Sequence, residues 1–302
     1  MKCAALVLAL AGCTSFIEGK AADTTYRILE RGNVAVRRTA DVELARDAMP
    51  GGIFQLQAFA TAYPGHRGFK AMYAETLCQY ANAFVFDDWE DASLGGRTAD
   101  ATRIATRLDT LLASCVDANL ALLPTPWRAA HAEGGAAWKA VVAGAERRHV
   151  TQLLWIASAD AVRLALDPMR GLARLDGIIA ALARCIELAP GFHEADAELL
   201  LGTLYAGKSR FLGGPDGAAQ FATAKKTLGD GALLVDVLYA RGVLVAKQDR
   251  AAYTATLERV LAADVTKWPD RRLANELARI KARRYLAAVD LLVPRSESPT
   301  VK

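Results

Sequence analysis

The side chains that could catalyse a reaction or bind a metal are scattered along this 302-residue chain. The histidines are His66, His131, His149 and His193. None pairs with another at the i, i+3 or i+4 spacing that places two ligands on one helix face, so a zinc site would need ligands from distant segments. The stretch HEADAE at His193 lacks the second histidine of a metalloprotease helix, and the chain has no Gly-x-Ser-x-Gly elbow. We therefore predict no catalytic residue, no metal site and no cofactor.

Two local stretches resemble ligand loops only in composition. FDDWEDA clusters four acidic residues between Asp87 and Asp91, without the loop spacing of a calcium-binding EF-hand. We predict a solvated helix end there, with calcium binding as the alternative. GGPDG begins at Gly213 and Gly214 but is not followed by Gly-Lys-Ser/Thr, so it predicts a widened turn between two helices and not a phosphate loop.

The beginning of the chain has the pattern of an export signal. A basic residue precedes a short apolar run, and the small residues Ala11 and Gly12 stand before Cys13. LAGC resembles the lipobox of bacterial lipoproteins, which implies cleavage after residue 12 and acylation of Cys13. In lipoproteins of this kind, an aspartate after the acylated cysteine favours retention at the inner membrane. This chain has Thr14 at that position, which favours sorting to the outer membrane. We expect a lipid-anchored periplasmic protein, and the alternative is a short buried helix with an incidental cysteine.

Three further cysteines lie in apolar, helix-like surroundings. Cys78, Cys115 and Cys185 are odd in number, and the chain shows no disulfide framework. We predict that they are small core residues, although an oxidising periplasm would permit one disulfide among them.

Composition favours a globular all-α protein. Hydrophobic residues make up 53% and charged residues 23%, Ala and Leu dominate, and alternating strand patterns are short. The net charge of +4 is spread along the chain, and no Lys/Arg stripe predicts nucleic-acid binding.

Helical patterns follow one another almost to the C-terminus. Apolar residues recur every three or four positions within 102–122, and 150–166 and 274–292 read similarly. Pro64, Pro190 and Pro269 each follow a helical pattern, as stop signals do. Their separations are near multiples of a helical hairpin of about 40 residues.

One segment matches a tetratricopeptide repeat (TPR). Its first helix carries the Leu-Gly-x-x-Tyr motif, and its second carries a small–aromatic–small triplet. The residues predicted to pack this repeat are Leu201, Gly202, Tyr205, Gly217, Phe221 and Ala224. The sequence therefore predicts an all-α, TPR-like array of antiparallel helical hairpins, an α-α superhelix. We expect a signal peptide at 1–12, a lipidated tether at 13–33, the helical domain at 34–293 and a flexible tail at 294–302.

Three blocks, in order, resemble one family. The first runs from DAMPGGIFQLQAFATAYPGHRGF to YANAFVFDD. The second runs from VTQLLWIASADAVRLALDPM to FATA and includes Trp155, a Leu-Ala-Pro stop and the Gly213-Gly214 turn. The third, DRRLANELARIKARRYLAAVDLLV, carries Asn275 and Lys281. With the lipobox, these blocks resemble the T-component (TatT) family of lipoproteins associated with tripartite ATP-independent periplasmic (TRAP) transporters.

The resemblance implies a non-enzymatic periplasmic protein. Such proteins partner the transporter's substrate-binding (P) subunit as homo-oligomers, with a trimer as one candidate, that enclose an apolar channel or cavity. Small organic ligands, hydrophobic or carboxylate-bearing, are implied. Tyr80, Phe84 and Trp155 are candidates for lining that cavity, and ordinary core packing is the alternative. The alternative function is a general TPR-like lipoprotein scaffold for envelope assembly. An envelope hydrolase would need a catalytic set of acids or a histidine metal site, and the sequence predicts neither.

Overall fold

The computed structural model describes residues 2–295, without the side chains of residues 2–17, 170, 211 and 212. The thiol of Cys13 and residues 296–302 of the expected tail lie outside this description.

Helices account for almost the whole described chain, and residues 2–295 contain no β-strand. The N-terminal helices are α1 (Lys2–Arg38), α2 (Val42–Ala62), α3 (Arg67–Tyr80), α4 (Phe86–Leu94) and α5 (Thr98–Leu120). The central helices are α6 (Pro126–Glu133), α7 (Gly135–Ala143), α8 (Val150–Leu166), α9 (Pro168–Gly171), α10 (Leu175–Leu188) and α11 (Phe192–Leu212). The C-terminal helices are α12 (Ala218–Leu228), α13 (Leu233–Tyr239), α14 (Val245–Lys247), α15 (Arg250–Ala262), α16 (Arg272–Ala287) and α17 (Val289–Leu292). The all-α prediction is confirmed.

The helices pack as successive pairs. Helix α2 lies on α3, α10 on α11, α11 on α12 and α15 on α16, while α8 lies between α5 and α10. Two π-helical segments interrupt the array: Ala81–Val85 joins α3 to α4, and Ala240–Leu244 joins α13 to α14. The result is the array of helical hairpins that the TPR-like pattern predicts.

Most of the predicted helix boundaries hold. Helix α8 spans the predicted 150–166, and Pro64 and Pro190 follow the ends of α2 and α10. Pro269 does not end α15, which finishes at Ala262; it opens a 3₁₀ turn that leads into α16. The predicted helix at 274–292 is divided at Ala288 into α16 and α17.

The segment expected as a tether is helical. Helix α1 runs to Arg38 and packs against α16 and the turn Pro269–Arg271. Arg38 binds Asp270 at 2.7 Å, and Ala22 is buried. The C-terminal part of α1 is therefore joined to the helical body.

No helix in the described part of the chain is long and apolar enough to cross a membrane.

The three later cysteines are buried, and two of them form the disulfide that the sequence left open. Cys78 on α3 and Cys115 on α5 form a disulfide across a sequence separation of 37 residues. The packing of α3 on α5 brings their Cα atoms to 5.2 Å, within the range that a disulfide requires. Cys185 remains a buried thiol, and burial raises the pKa of this thiol to about 12.

Candidate functional site

Four of the six predicted repeat residues lie where α11 contacts α12: Gly202, Gly217, Phe221 and Ala224. Gly202 lies against the ring of Phe221, where an added Cβ would stand 3.0 Å from that ring. Gly217 has φ +80°, and a Cβ there would collide with the backbone carbonyl of Gly202. The two helices therefore approach so closely that glycine is required at the crossing. Ala224 is fully buried beside Phe221.

The other repeat residues face elsewhere. Leu201 is buried in the main core, and Tyr205 is half-buried at the edge of that core. Gly213 and Gly214 have φ +71° and +104° and lie in the turn between α11 and α12. This turn allows the backbone to reverse over several residues before α12 begins.

The three candidates for cavity lining are buried in the main core. Phe84 is fully buried, and its ring centroid lies 5.9 Å from that of Tyr80. The hydroxyl of Tyr80 accepts a hydrogen bond from Arg107 at 3.0 Å. Trp155 is 5% exposed, and its Nε1 has no hydrogen-bond partner. A cavity-lining role for these residues stays a prediction.

The acidic stretch of α4 is buried against α16, so the prediction of a solvated helix end is wrong. Asp87 is 2% exposed and binds Lys281 at 2.7 Å and Arg284 at 2.7 Å. Glu90 binds Lys281 at 3.2 Å and accepts from the hydroxyl of Tyr285. We call these five side chains the α4–α16 ion network. Sequence reasoning missed it because its members are about 190 residues apart.

The charges of the network stabilise one another. Burial raises the pKa of Asp87, but the hydrogen bond from Arg284 and the charge of Lys281 outweigh burial and lower it below its usual range. Burial lowers the pKa of Lys281, but the charges of Glu90 and Asp87 outweigh burial and raise this pKa above its usual value. Asp87 and Lys281 therefore stay charged, because their partners compensate for the lost hydration.

Asn275 fixes the start of α16. Its side-chain amide donates to the carbonyl of Gly231 at 3.0 Å, and its oxygen accepts from the backbone of Leu233 at 3.2 Å. Asn275 and Lys281, which the third sequence block carries, therefore join α16 to the start of α13 and to α4. For Lys281, the signal that could have found its contacts was the pairing of an acidic first block with a basic third block.

A second polar cluster lies where α11 meets α3 and α8. His193 binds Asp196 at 2.7 Å through Nδ1 and Glu75 at 3.1 Å through Nε2. The indole of Trp155 meets the imidazole edge-on, with ring centroids 5.1 Å apart. Burial lowers the pKa of His193, but the hydrogen bonds to Asp196 and Glu75 outweigh burial and raise it to about 10. No partner of this histidine was predicted from the sequence. One partner, Glu75, comes from another helix, and the other, Asp196, lies three residues further along the same helix.

The backbone at this cluster is unusual. His193, Glu194 and Ala195 all have φ between +53° and +58°, a left-handed turn at the start of α11. A non-glycine residue in this region costs about 1–2 kcal/mol in conformational free energy.

No group of three or more His, Cys, Asp or Glu side chains suited to a metal ion occurs among the residues that the structure describes.

These features define a class of protein: an all-α array of helical hairpins. Its N-terminal and C-terminal halves are joined by buried ions, and its close helix contacts depend on glycine.

The chain belongs to the TRAP transporter T-component family, since the family model TAtT matches residues 38–292. The resemblance seen in the sequence is thereby confirmed, and the chain is a component of a transport system and not a member of an enzyme family. A search of the curated proteins finds no match.

Proposed function

We propose that this chain is a non-enzymatic, lipid-anchored periplasmic component of a TRAP-type transporter. In this role it binds the substrate-binding subunit and a small organic ligand. The match to the T-component family over residues 38–292 is the observation that carries the proposal.

Two features support an extracytoplasmic location. The LAGC motif at Cys13 suits signal cleavage and acylation. The Cys78–Cys115 disulfide suits an oxidising compartment such as the periplasm, where disulfides persist. Replacing Cys13 by Ser should move the protein from the membrane fraction to the soluble periplasmic fraction, and retention in the membrane would contradict lipid anchoring.

Exposed apolar side chains on α1 and α2 offer a surface for a protein partner. Phe54 is 73% exposed and Leu44 is 61% exposed on α2, and Ile28 on α1 is 64% exposed. Large apolar side chains in water favour burial against another protein. We assign this surface to contact with the transporter's substrate-binding subunit.

Affinity capture tests the partner. The tagged full-length chain, extracted from membranes in detergent, should retain the substrate-binding subunit of a TRAP transporter encoded beside it. Phe54→Ser should weaken the capture at least several-fold, because it removes the most exposed ring on α2. Met169→Ser is the control, since Met169 is a large apolar residue that is 84% exposed but lies on α9. Failure of the wild-type chain to retain any TRAP subunit would overturn the proposal.

The same capture discriminates the alternative function. A general scaffold for envelope assembly would retain several envelope proteins and no TRAP subunit.

We also propose that the chain forms a homo-oligomer. Light scattering of the purified chain tests this, with a trimer as the state to be checked. A monomeric mass at all accessible concentrations would contradict the oligomer alone.

A further inference from the structure

Helix α1 is fixed on the helical body at two places. Near the start of α3, Asp23 lies 3.2 Å from Nε2 of His66. An added Cβ at Gly68 would stand 2.7 Å from the ring of Tyr26, so α1 and the start of α3 are in close contact. Further along, α1 packs against the turn Pro269–Arg271. The direction of α1 relative to the body is therefore fixed.

This direction places Cys13 close to the turn between α2 and α3. The turn 62–66 and Gly19 on α1 line one cleft of about 570 Å³, which is open to solvent. The backbone from residue 13 to residue 19 belongs to the same helix as the rest of α1. Six residues at a rise of about 1.5 Å each place Cys13 about 9 Å from Gly19 along the helix axis.

The surface around the cleft has an excess of positive charge. Residues 48–74, which span most of α2, the turn and the start of α3, contain neither Asp nor Glu. Four basic and two acidic side chains lie in the segments 18–27 and 48–74, namely Lys20, Arg27, Arg67 and Lys70 against Glu18 and Asp23. Basic side chains close to a lipid anchor attract the phosphates of anionic lipids.

The side chains of the turn suit the headgroup region of a bilayer. Pro64 and Gly65 are exposed, and Tyr63 is half-buried at the edge of the cleft. Tyrosine is enriched at membrane–water interfaces, where its ring lies at the level of the headgroups. The most exposed ring on α2, that of Phe54, lies eight residues before the turn, about 12 Å along the helix. The surface assigned to the transporter subunit is thus separate from the turn.

We propose that this end of the array lies against a bilayer surface that contains anionic lipids. We call it the anchor face and define it as residues 62–67 with Lys20 and Lys70. Acyl chains on Cys13 hold this face within about one Debye length of the headgroups, about 8–10 Å, so that the charges still attract one another. Lipid headgroups enter the cleft, and the array stands with its α2–α3 turn toward the membrane. This inference rests on the proposed lipid anchor and does not depend on the transporter subunit.

A fluorescent probe on the anchor face tests the contact. Gly65 is exposed, and an added Cβ there meets no atom within 4 Å, so Gly65→Cys can carry a thiol-reactive fluorophore without displacing a neighbour. Gly207→Cys on α11 is the matched control, because Gly207 is also exposed and its Cβ would also enter open space. The cysteines of the body do not compete, since Cys78 is joined to Cys115 and Cys185 is buried.

Quenching by labelled lipids is the readout. The lipidated full-length chain is placed in vesicles of phosphatidylethanolamine and phosphatidylglycerol, with and without a nitroxide quencher on the lipid headgroups. The fluorophore on Gly65→Cys should lose most of its emission when the quencher is present, and the fluorophore on Gly207→Cys should lose little. Equal quenching at the two positions would overturn the proposal, and so would the absence of quenching at Gly65→Cys.

Removal of basic side chains tests the preference for anionic lipids. Each lysine near an anionic surface contributes a factor of about five to binding, so Lys20→Gln with Lys70→Gln should shift the anchor face toward the detached state about 25-fold. Quenching of the Gly65→Cys probe should then fall, as it should in vesicles of phosphatidylethanolamine alone. Lys208→Gln with Lys226→Gln, on α11 and α12, is the control and should leave quenching unchanged. Full quenching after both treatments would overturn the proposal.

Flotation of the vesicles separates this inference from the proposed function. Flotation of the chain without quenching at Gly65→Cys counts against the anchor face and leaves the lipid anchor in place. A chain that does not float with the vesicles contradicts the lipid anchor, and the anchor face with it. Thermal unfolding shows whether each labelled variant is folded. If Gly65→Cys is not, the probe is carried by Ala62→Cys at the exposed last residue of α2.

Discussion

The hydroxyl of Tyr285 lies 2.7 Å and 2.8 Å from the two carboxylate oxygens of Glu90, although 195 positions separate the residues. Burial, and then the charge of Glu90, raise the pKa of Tyr285 well above its usual value, so the phenol remains a donor. This bond joins α16 to α4 and so connects the C-terminal part of the array to its N-terminal part. The position of the last long helix is therefore set by polar contacts as well as by apolar packing.

Loss of the Glu90 charge should destabilise the protein strongly. Glu90→Gln leaves Lys281 and Arg284 buried with less compensation, and we expect the free energy of unfolding to fall by about 3–5 kcal/mol. Tyr285→Phe, which removes one hydroxyl, should cost about 1–3 kcal/mol. Urea unfolding followed by circular dichroism measures both. Glu258→Gln on the exposed face of α15 is the control, and equal urea midpoints for the two Glu→Gln variants would contradict the role of the ion network.

Alanine at the helix crossing should reveal the close approach of α11 and α12. Gly217→Ala introduces a Cβ that collides with the carbonyl of Gly202 at a positive φ, so we expect a loss of more than about 2 kcal/mol. Gly207→Ala is the matched control, because its Cβ would enter open space within α11. That variant should be neutral or gain up to about 1 kcal/mol in helix propensity. Thermal unfolding ranks the two, and equal melting temperatures would count against the crossing.

Reduction of the disulfide should lower stability. In the chain-entropy model, a disulfide that closes a loop of 37 residues lowers the entropy of the unfolded chain. It thereby raises the free energy of unfolding by about 3–4 kcal/mol. Dithiothreitol should therefore reduce the melting temperature of the wild type and leave that of a Cys78→Ala, Cys115→Ala double variant unchanged. A thiol-alkylation mass shift shows whether the bridge is present before the reductant is added. A wild type that already alkylates at both positions would contradict the bridge.

Alkaline pH should weaken the His193 cluster. The pKa of His193 is raised from 6.5 to about 10 in the folded protein, so its contribution is complete below pH 6.5 and is lost as pH rises through 10. His193→Asn removes the titration while tolerating the left-handed backbone. The difference between the two pH profiles of unfolding free energy isolates His193. A constant difference from pH 6 to pH 10 would contradict the raised pKa, which NMR titration of the imidazole measures directly.

Local sequence patterns predicted much of the array. Apolar residues at helical spacing located α8, and turn and stop residues indicated successive helices, because these features depend on residues close in the chain. The family could also be recognised from three ordered blocks. The same reasoning failed for FDDWEDA, since a run of acidic residues looks solvated until the basic helix that covers it is known.

The cluster around His193 was much less predictable. Trp155 was singled out as an aromatic residue, but His193 beside it and the partners of His193, Glu75 and Asp196, carry no shared motif. Each comes from a different helix or from a different turn of one helix. Their convergence depends on how α3, α8 and α11 cross.

By itself the sequence determined the helical class, the hairpin repeat and the family, since helix periodicity, turn residues and motif order are local properties of the chain. Only the tertiary structure decided that Cys78 meets Cys115, that Asp87 and Glu90 are buried, and that His193 stands between two carboxylates. The physical reason is distance: charge compensation, disulfide formation and burial act between side chains a few ångströms apart in space. Residues far apart in the chain reach that distance only when the helices have packed.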